Sequence, residues 1–143
     1  MILKPLFILI IVSLTFNVNA KDKSYGDVKV LEVISIYDGD TFRANLKGYP
    51  DIVGEHISIR INGIDTPELR GKCDKEKLLA RKAKQFTVEH LRAAKNITLK
   101  NIKRGKYFRL IADVYIDGVI LGELLIKQDH AVKYIGKTKK QWC

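Results

Sequence analysis

Two short acidic clusters, Asp38-Gly39-Asp40-Thr41 and Asp65-Thr66-Pro67-Glu68, stand in a chain whose formal net charge is +10. Arg60 lies between them, and Arg109 closes the run Lys106-Tyr107-Phe108-Arg109. Cleaving a phosphodiester requires water to be positioned and deprotonated, the charge of a five-coordinate transition state to be stabilised, and the leaving alkoxide to be helped away. A hard divalent cation on oxygen ligands serves the second need and orients the water. Calcium accepts carboxylates and backbone carbonyls and leaves positions for water and substrate, which makes Asp40 and Asp65 candidate ligands. With two arginines beside them, these carboxylates form a set suited to attack on a phosphodiester.

Each piece has a plainer reading in isolation. Asp38-Gly39 is a strong turn dipeptide and alone marks a hairpin. It does not open an EF-hand, because the later ligands and terminal Glu of that loop are missing. Asp65-Thr66-Pro67-Glu68 could start a helix, with Thr66 as cap and Pro67 in the first helical position. Arg60 and Arg109 could be solvated surface charges. Their order and spacing together carry the chemical reading.

The elements that must position these residues are legible from periodicity. Val28 to Tyr37 is rich in Val and Ile, and Thr41 to Leu46 alternates, so the two read as a β-hairpin about Asp38-Gly39. From His56 to Asn62, Ile57, Ile59 and Ile61 point one way and Ser58, Arg60 and Asn62 the other. Arg60 therefore belongs to the face away from the core. Asp74 to Ala94 switches to helical spacing, with Leu79, Ala83, Phe86, His90 and Ala94 on one side and Asp74 as the expected N-cap. Ile97 to Ile102 and Leu110 to Ile116 read as strands, Asp117-Gly118 as a turn, and Leu121 to Gln128 as a short helix. The tail from Lys133 is polar and basic, with little regular structure expected. Three strands, a helix, two strands and a short helix predict an α+β, mainly β domain: a five-stranded Greek-key barrel of the OB type.

The ends and the charge bound the setting. Lys4, an apolar run from Leu6 to Phe16 broken by Ser13 and Thr15, and Val18-Asn19-Ala20 predict a cleaved signal peptide over residues 1–20. The run is shorter than the about 20 apolar residues a membrane span needs. Residues 21–143 then form a single domain with a modest core, exported to the periplasm or the medium and not held at the membrane. Two cysteines in an oxidising compartment allow one intramolecular pairing, Cys73 with Cys143. Such a bridge closes a loop of about 70 residues, worth about 4 kcal/mol on the chain-entropy model, and pins the last residue near Glu68. His56, His90 and His130 show no zinc spacing with either cysteine. The basic balance favours an acidic partner, whether nucleic acid, a membrane surface or another polyanion.

Ile36-Tyr37-Asp38-Gly39-Asp40-Thr41, Arg60-Ile61-Asn62-Gly63-Ile64-Asp65-Thr66-Pro67-Glu68 and Lys106-Tyr107-Phe108-Arg109 together resemble the staphylococcal nuclease (thermonuclease) family. The likeness runs on through Asp117-Gly118 and the following helix. It implies an OB-fold, calcium-dependent nuclease that cuts DNA and RNA with low sequence specificity, leaving 3′-phosphate ends. On this resemblance Asp40, Asp65 and the Thr66 carbonyl hold calcium, with Asp38 in the outer shell. Glu68 orients or deprotonates the attacking water. Arg60 and Arg109 grip the phosphate, for which a planar fork is suited. Lys106 and Tyr107 contact a neighbouring phosphate, and the protein works as a monomer. Three departures stand out: Phe108 where the family has Gly, a shorter loop from Leu69 to Glu76, and an end at Cys143 without the long C-terminal helix of the best-known member.

The competing expectation is a module of the same fold that binds nucleic acid without cutting it, by charge and stacking. Occupancy of every expected catalytic position by the expected residue type favours the enzyme.

Overall fold

The computed structural model describes residues 23–143; the leader expected over residues 1–20 lies outside them. The elements run β1 (Val28–Ile36), β2 (Thr41–Leu46), α1 (Asp51–Gly54), β3 (Ile57–Ile61), β4 (Ile64–Asp65), α2 (Asp74–Ala93), β5 (Ile97–Arg104), β6 (Leu110–Ile116), β7 (Val119–Ile120), α3 (Leu121–Lys127) and β8 (Val132–Lys133).

Strands β1, β2 and β3 form an antiparallel meander, and β5 pairs with both β1 and β6. The sheet then closes on itself through a parallel pair, Ile59 opposite Leu110 and Ile61 opposite Ala112. The result is the five-stranded OB-type barrel expected. Closure removes the open edges that a small sheet would expose. Register shifts in β1 and between Lys100 and Lys103 supply the bends that closure needs. The core follows the alternation: Phe42, Ile59, Ile61, Leu99 and Val114 are almost wholly buried, together with Leu121 and Leu125 of α3.

Helix α2 departs from expectation in two ways. Its N-cap is Cys73, whose sulfur accepts from the Glu76 amide at 3.5 Å, so Asp74 is the first helical residue and not the cap. Its buried stripe is Glu76, Ala80, Ala83, Thr87 and Leu91, rotated from the apolar stripe of Leu79, Phe86 and His90, which are only partly covered. Two polar side chains face inward because each has a fixed partner there. Thr87 Oγ1 donates to the Gly39 carbonyl at 2.7 Å, and Glu76 accepts from the amides of Glu68 and Lys72. Arg92 near the other end of the helix donates to Val33 O at 2.8 Å. The helix thus ties both acidic clusters to one rigid rod.

A four-residue helix, α1, joins β2 to β3 where no element was expected, making three helices rather than two among the described residues. The tail also has more structure than its composition suggests. Strand β8 pairs with β4, setting Val132 opposite Asp65. Trp142 is buried, and Cys143 is disulfide-bonded to Cys73 with their Cα atoms 6.0 Å apart.

Candidate active site

The first acidic cluster is the tight turn from β1 to β2. Tyr37 N–H donates to Thr41 O at 2.9 Å, and the Asp40 amide donates to Asp38 Oδ1 at 3.1 Å. Gly39 sits where this turn meets α2. A Cβ there would lie 2.8 Å from Ala83 Cβ and 2.9 Å from Thr66 Cγ2, neither of them a mobile chain end. Gly39→Ala is therefore expected to destabilise the fold by about 2 kcal/mol through overpacking, read as a lowered urea midpoint with an unchanged m-value.

Asp40, Asp65 and Thr66 are each only 2% exposed. Buried carboxylates need partners, and Arg60 supplies a shared one. Its Nη1 lies 3.0 Å from Asp40 Oδ1 and its Nη2 lies 3.2 Å from Asp65 Oδ1. The guanidinium thus spans both acids, and Nη2 also donates to Ile64 O at 3.3 Å. Asp40 accepts further bonds from Thr41 Oγ1 at 2.9 Å and from the Thr66 amide at 3.2 Å. Thr66 therefore meets Asp40 through its N–H in this arrangement. Arg60 reaches the acids because β3 points it off the core face, as its alternation requires.

Crowding of acids leaves a mark on Asp38. Burial, reinforced by the neighbouring Asp40 charge, pushes its carboxyl from the ordinary 3.8 up to about 6. The folded state then holds a proton that the unfolded state releases between about pH 4 and pH 6. Stability falls as pH rises through that window and stays lower above it. In chelator, Asp38→Asn should raise Tm at pH 7 and leave it near the parent value at pH 4; equal shifts at both would contradict this origin.

A cleft of about 410 Å³ opens above these acids, lined by Tyr37, Arg60, Glu68, Arg109, Tyr134 and Lys139 among others. Arg109 enters from a tight loop in which Tyr107 and Phe108 both take left-handed backbone, φ 57° and 58°. Phe108 thus adopts the conformation that glycine favours. The loop closes through Gly105 N–H to Arg109 O at 2.7 Å. The Nε of Arg109 is buried with no hydrogen-bond partner among the described residues, a donor suited to an anionic oxygen. Lys106 and Tyr107, by contrast, are exposed on the loop and do not line the cleft; Tyr107 is 95% exposed. A second, apolar cavity of about 160 Å³ sits among Tyr25, Tyr49, Arg104 and Phe108 and contains no carboxylate.

Glu68 is held at both ends. Its amide donates to Glu76 Oε1 at 3.3 Å, and its Oε1 accepts from Lys139 Nζ at 2.7 Å. Lys139 holds the Glu68 carboxyl below the ordinary range. Burial alone would lower the Lys139 ammonium, but its bonds to Glu68 and Asp65 outweigh that and raise it. Gly71 leaves room for this arrangement, since any Cβ there would overlap the Glu76 carboxyl group. Glu76, Thr87, Tyr134 and Lys139 are thus site or support residues that motif reading did not single out. Only the bridge to Cys143 hinted that the tail would arrive here.

The donor set is two buried carboxylates with hard oxygens and Asp38 close by. That chemistry fits calcium or a similar hard cation with most positions left to water and substrate. Among the described residues no group of three or more His, Cys, Asp or Glu converges as a metal cage. What the assembly offers is a compact acidic floor beneath guanidinium groups, with one carboxylate at the cleft edge.

A family model described as staphylococcal nuclease homologue matches residues 58–142, a span that includes Arg60, Asp65, Glu68 and Arg109 and begins after Asp40. An uncharacterized protein of Bacillus anthracis is 29% identical over 104 residues, covering 71% of this chain and 45% of the relative. The chain thus spans less than half the length of that curated relative.

Proposed function

The chain belongs to the staphylococcal nuclease homologue family, whose domains are nuclease-like or bind nucleic acid, and from that premise we propose that it is an exported, calcium-dependent nuclease acting on DNA and RNA as a monomer. The observation that carries this reading is the convergence of Asp40 and Asp65 on Arg60 beneath a cleft that Glu68 and Arg109 also line. Asp40, Asp65 and the Thr66 carbonyl would hold the cation. When bound it would neutralise phosphate charge and help orient water.

The remaining work falls to the chain's own side chains. Arg109 offers an unpaired donor to the phosphate, and Arg60, which lines the same cleft while paired with both acids, would share its guanidinium between acid and substrate. Glu68, ionised at neutral pH beside Lys139, accepts the proton of the attacking water. A bond forms from that water oxygen to phosphorus while the bond to the 5′ oxygen breaks, the 5′ oxygen taking a proton from solvent to leave as an alcohol and the other product keeping a 3′-phosphate. Lys106 and Tyr107, exposed on the loop that carries Arg109, would meet a neighbouring phosphate of a longer strand. Phosphate contacts made by lysine and arginine carry no base reading, so specificity is low and affinity falls with salt.

One observation favours the non-catalytic alternative: Glu68 is already engaged by a lysine at 2.7 Å. The test separates the two. Residues 21–143 are incubated with single-stranded DNA or RNA in calcium or in chelator, and products are resolved by size and end group. Calcium-dependent fragments with 3′-phosphates support the enzyme. Retarded but intact strands in both conditions assign the domain to binding.

A further inference from the structure

The tail is anchored on both sides of Lys139. Upstream, Tyr134 N–H donates to Gly63 O at 2.9 Å; downstream, Trp142 is buried and Cys143 is bonded to Cys73. Between these points Lys139 turns into the cleft, with Nζ 2.7 Å from Glu68 Oε1 and 3.3 Å from Asp65 Oδ1. The Asp65 oxygen it approaches is the one that Arg60 Nη2 meets at 3.2 Å. A divalent cation coming to Asp65 therefore encounters an ammonium already on the same carboxylate oxygen.

We propose that Lys139 is a tethered competitor of the metal: it occupies Asp65 and Glu68 as a counter-cation, and the Cys73–Cys143 disulfide sets the strength of that competition by fixing the tail. This rests on the assignment of Asp40 and Asp65 as cation ligands. The physics is intramolecular. A tethered ammonium acts at an effective concentration of mM order or above, and its charge repels a divalent ion only a few ångströms away. An external dithiol that reduces the disulfide, becoming a disulfide itself while Cys73 and Cys143 become thiols, frees the last residues, lowers that effective concentration and leaves the carboxylates to the metal. The thiol–disulfide state of the protein thereby becomes an input to its calcium affinity. In the metal-free protein the same lysine neutralises acids that would otherwise repel one another.

Calcium binding, measured by titration calorimetry with calcium alone and no nucleic acid, decides the matter. For the disulfide-bonded protein, Lys139→Met should tighten Kd about tenfold, while Lys139→Arg, which keeps the charge, should stay within about twofold of the parent. Replacing both cysteines by serine should tighten Kd when Lys139 is present and change it by less than about twofold in the Lys139→Met background. Unchanged or weaker binding by Lys139→Met overturns the competition and leaves a surface ion pair. Equal effects of the cysteine substitutions in both backgrounds overturn the role of the tether. Absence of calcium binding in every variant overturns the metal site itself, and the proposal with it. Should the double serine variant fail to fold, the Lys139 comparison still decides the competition, and the same titration of dithiol-reduced parent and Lys139→Met protein decides the tether, equal effects of reduction in both overturning it.

Discussion

Glu68→Gln should lower the rate of phosphodiester cleavage by about 10²- to 10⁴-fold, the usual contribution of a positioned base, with nucleic-acid binding largely kept. Gln has nearly the same shape and keeps an acceptor for Lys139, but it takes no proton from water at neutral pH. The backbone position would be retained, because it is the Glu68 amide that bonds to Glu76. The ion pair being lost is between half-exposed partners, and such pairs contribute at most about 1 kcal/mol. Tm should therefore change little. Single-turnover cleavage in saturating calcium, set beside a mobility-shift titration in chelator, separates chemistry from binding. A variant that cuts at the parental rate would remove Glu68 from the role of base. One that neither binds nor folds would place it among the structural residues instead.

The parts of this molecule legible in the sequence are those governed by local rules. Ile57, Ile59 and Ile61 alternate with Ser58 and Arg60, and that alone sent Arg60 away from the core toward the acids. Asp38-Gly39 fixed the hairpin turn that carries Asp40. Long-range geometry was not written locally. Nothing in β3 or β6 signals that Ile59 will lie parallel to Leu110; that pairing follows from closing the barrel. The helix face was misjudged by one position because Glu76 and Thr87 are polar, and an apolar periodicity counts them as outward. They face inward since each meets backbone groups of a distant turn, Gly39 O for Thr87 and the amides of Glu68 and Lys72 for Glu76. Lys139 was one cation among 26 lysines and arginines. Its arrival at Glu68 depends on the tail's path along β4 and on the bond to Cys73, which sequence reasoning placed near Glu68 without saying what it would carry there. The four-residue helix α1 is too short to leave a periodic signal.

Arg60→Met is expected to have the largest effect on the protein as a whole, because this one guanidinium serves both stability and phosphate binding. Its removal leaves Asp40 and Asp65, each 2% exposed, without their common counter-charge. Breaking such a buried pair by deleting one partner costs about 3–5 kcal/mol. Here the lower end is expected, since Asp40 keeps its bonds from Thr41 and Thr66 and Asp65 keeps Lys139. Arg60→Lys should fall between parent and Met variant, as a point charge cannot span both carboxylates the way a planar fork does. The diagnostic result is the response to calcium. A cation binding the same two acids replaces the lost charge and stabilises only the folded state, by an amount that grows with its concentration over Kd. The calcium-dependent rise in Tm should therefore be greater for Arg60→Met than for the parent, while cleavage stays impaired because the metal does not restore the grip on phosphate. If calcium rescues activity along with Tm, Arg60 is a structural counter-ion and only Arg109 meets the substrate. If calcium moves neither Tm, the two acids hold no metal, and their burial serves Arg60 alone.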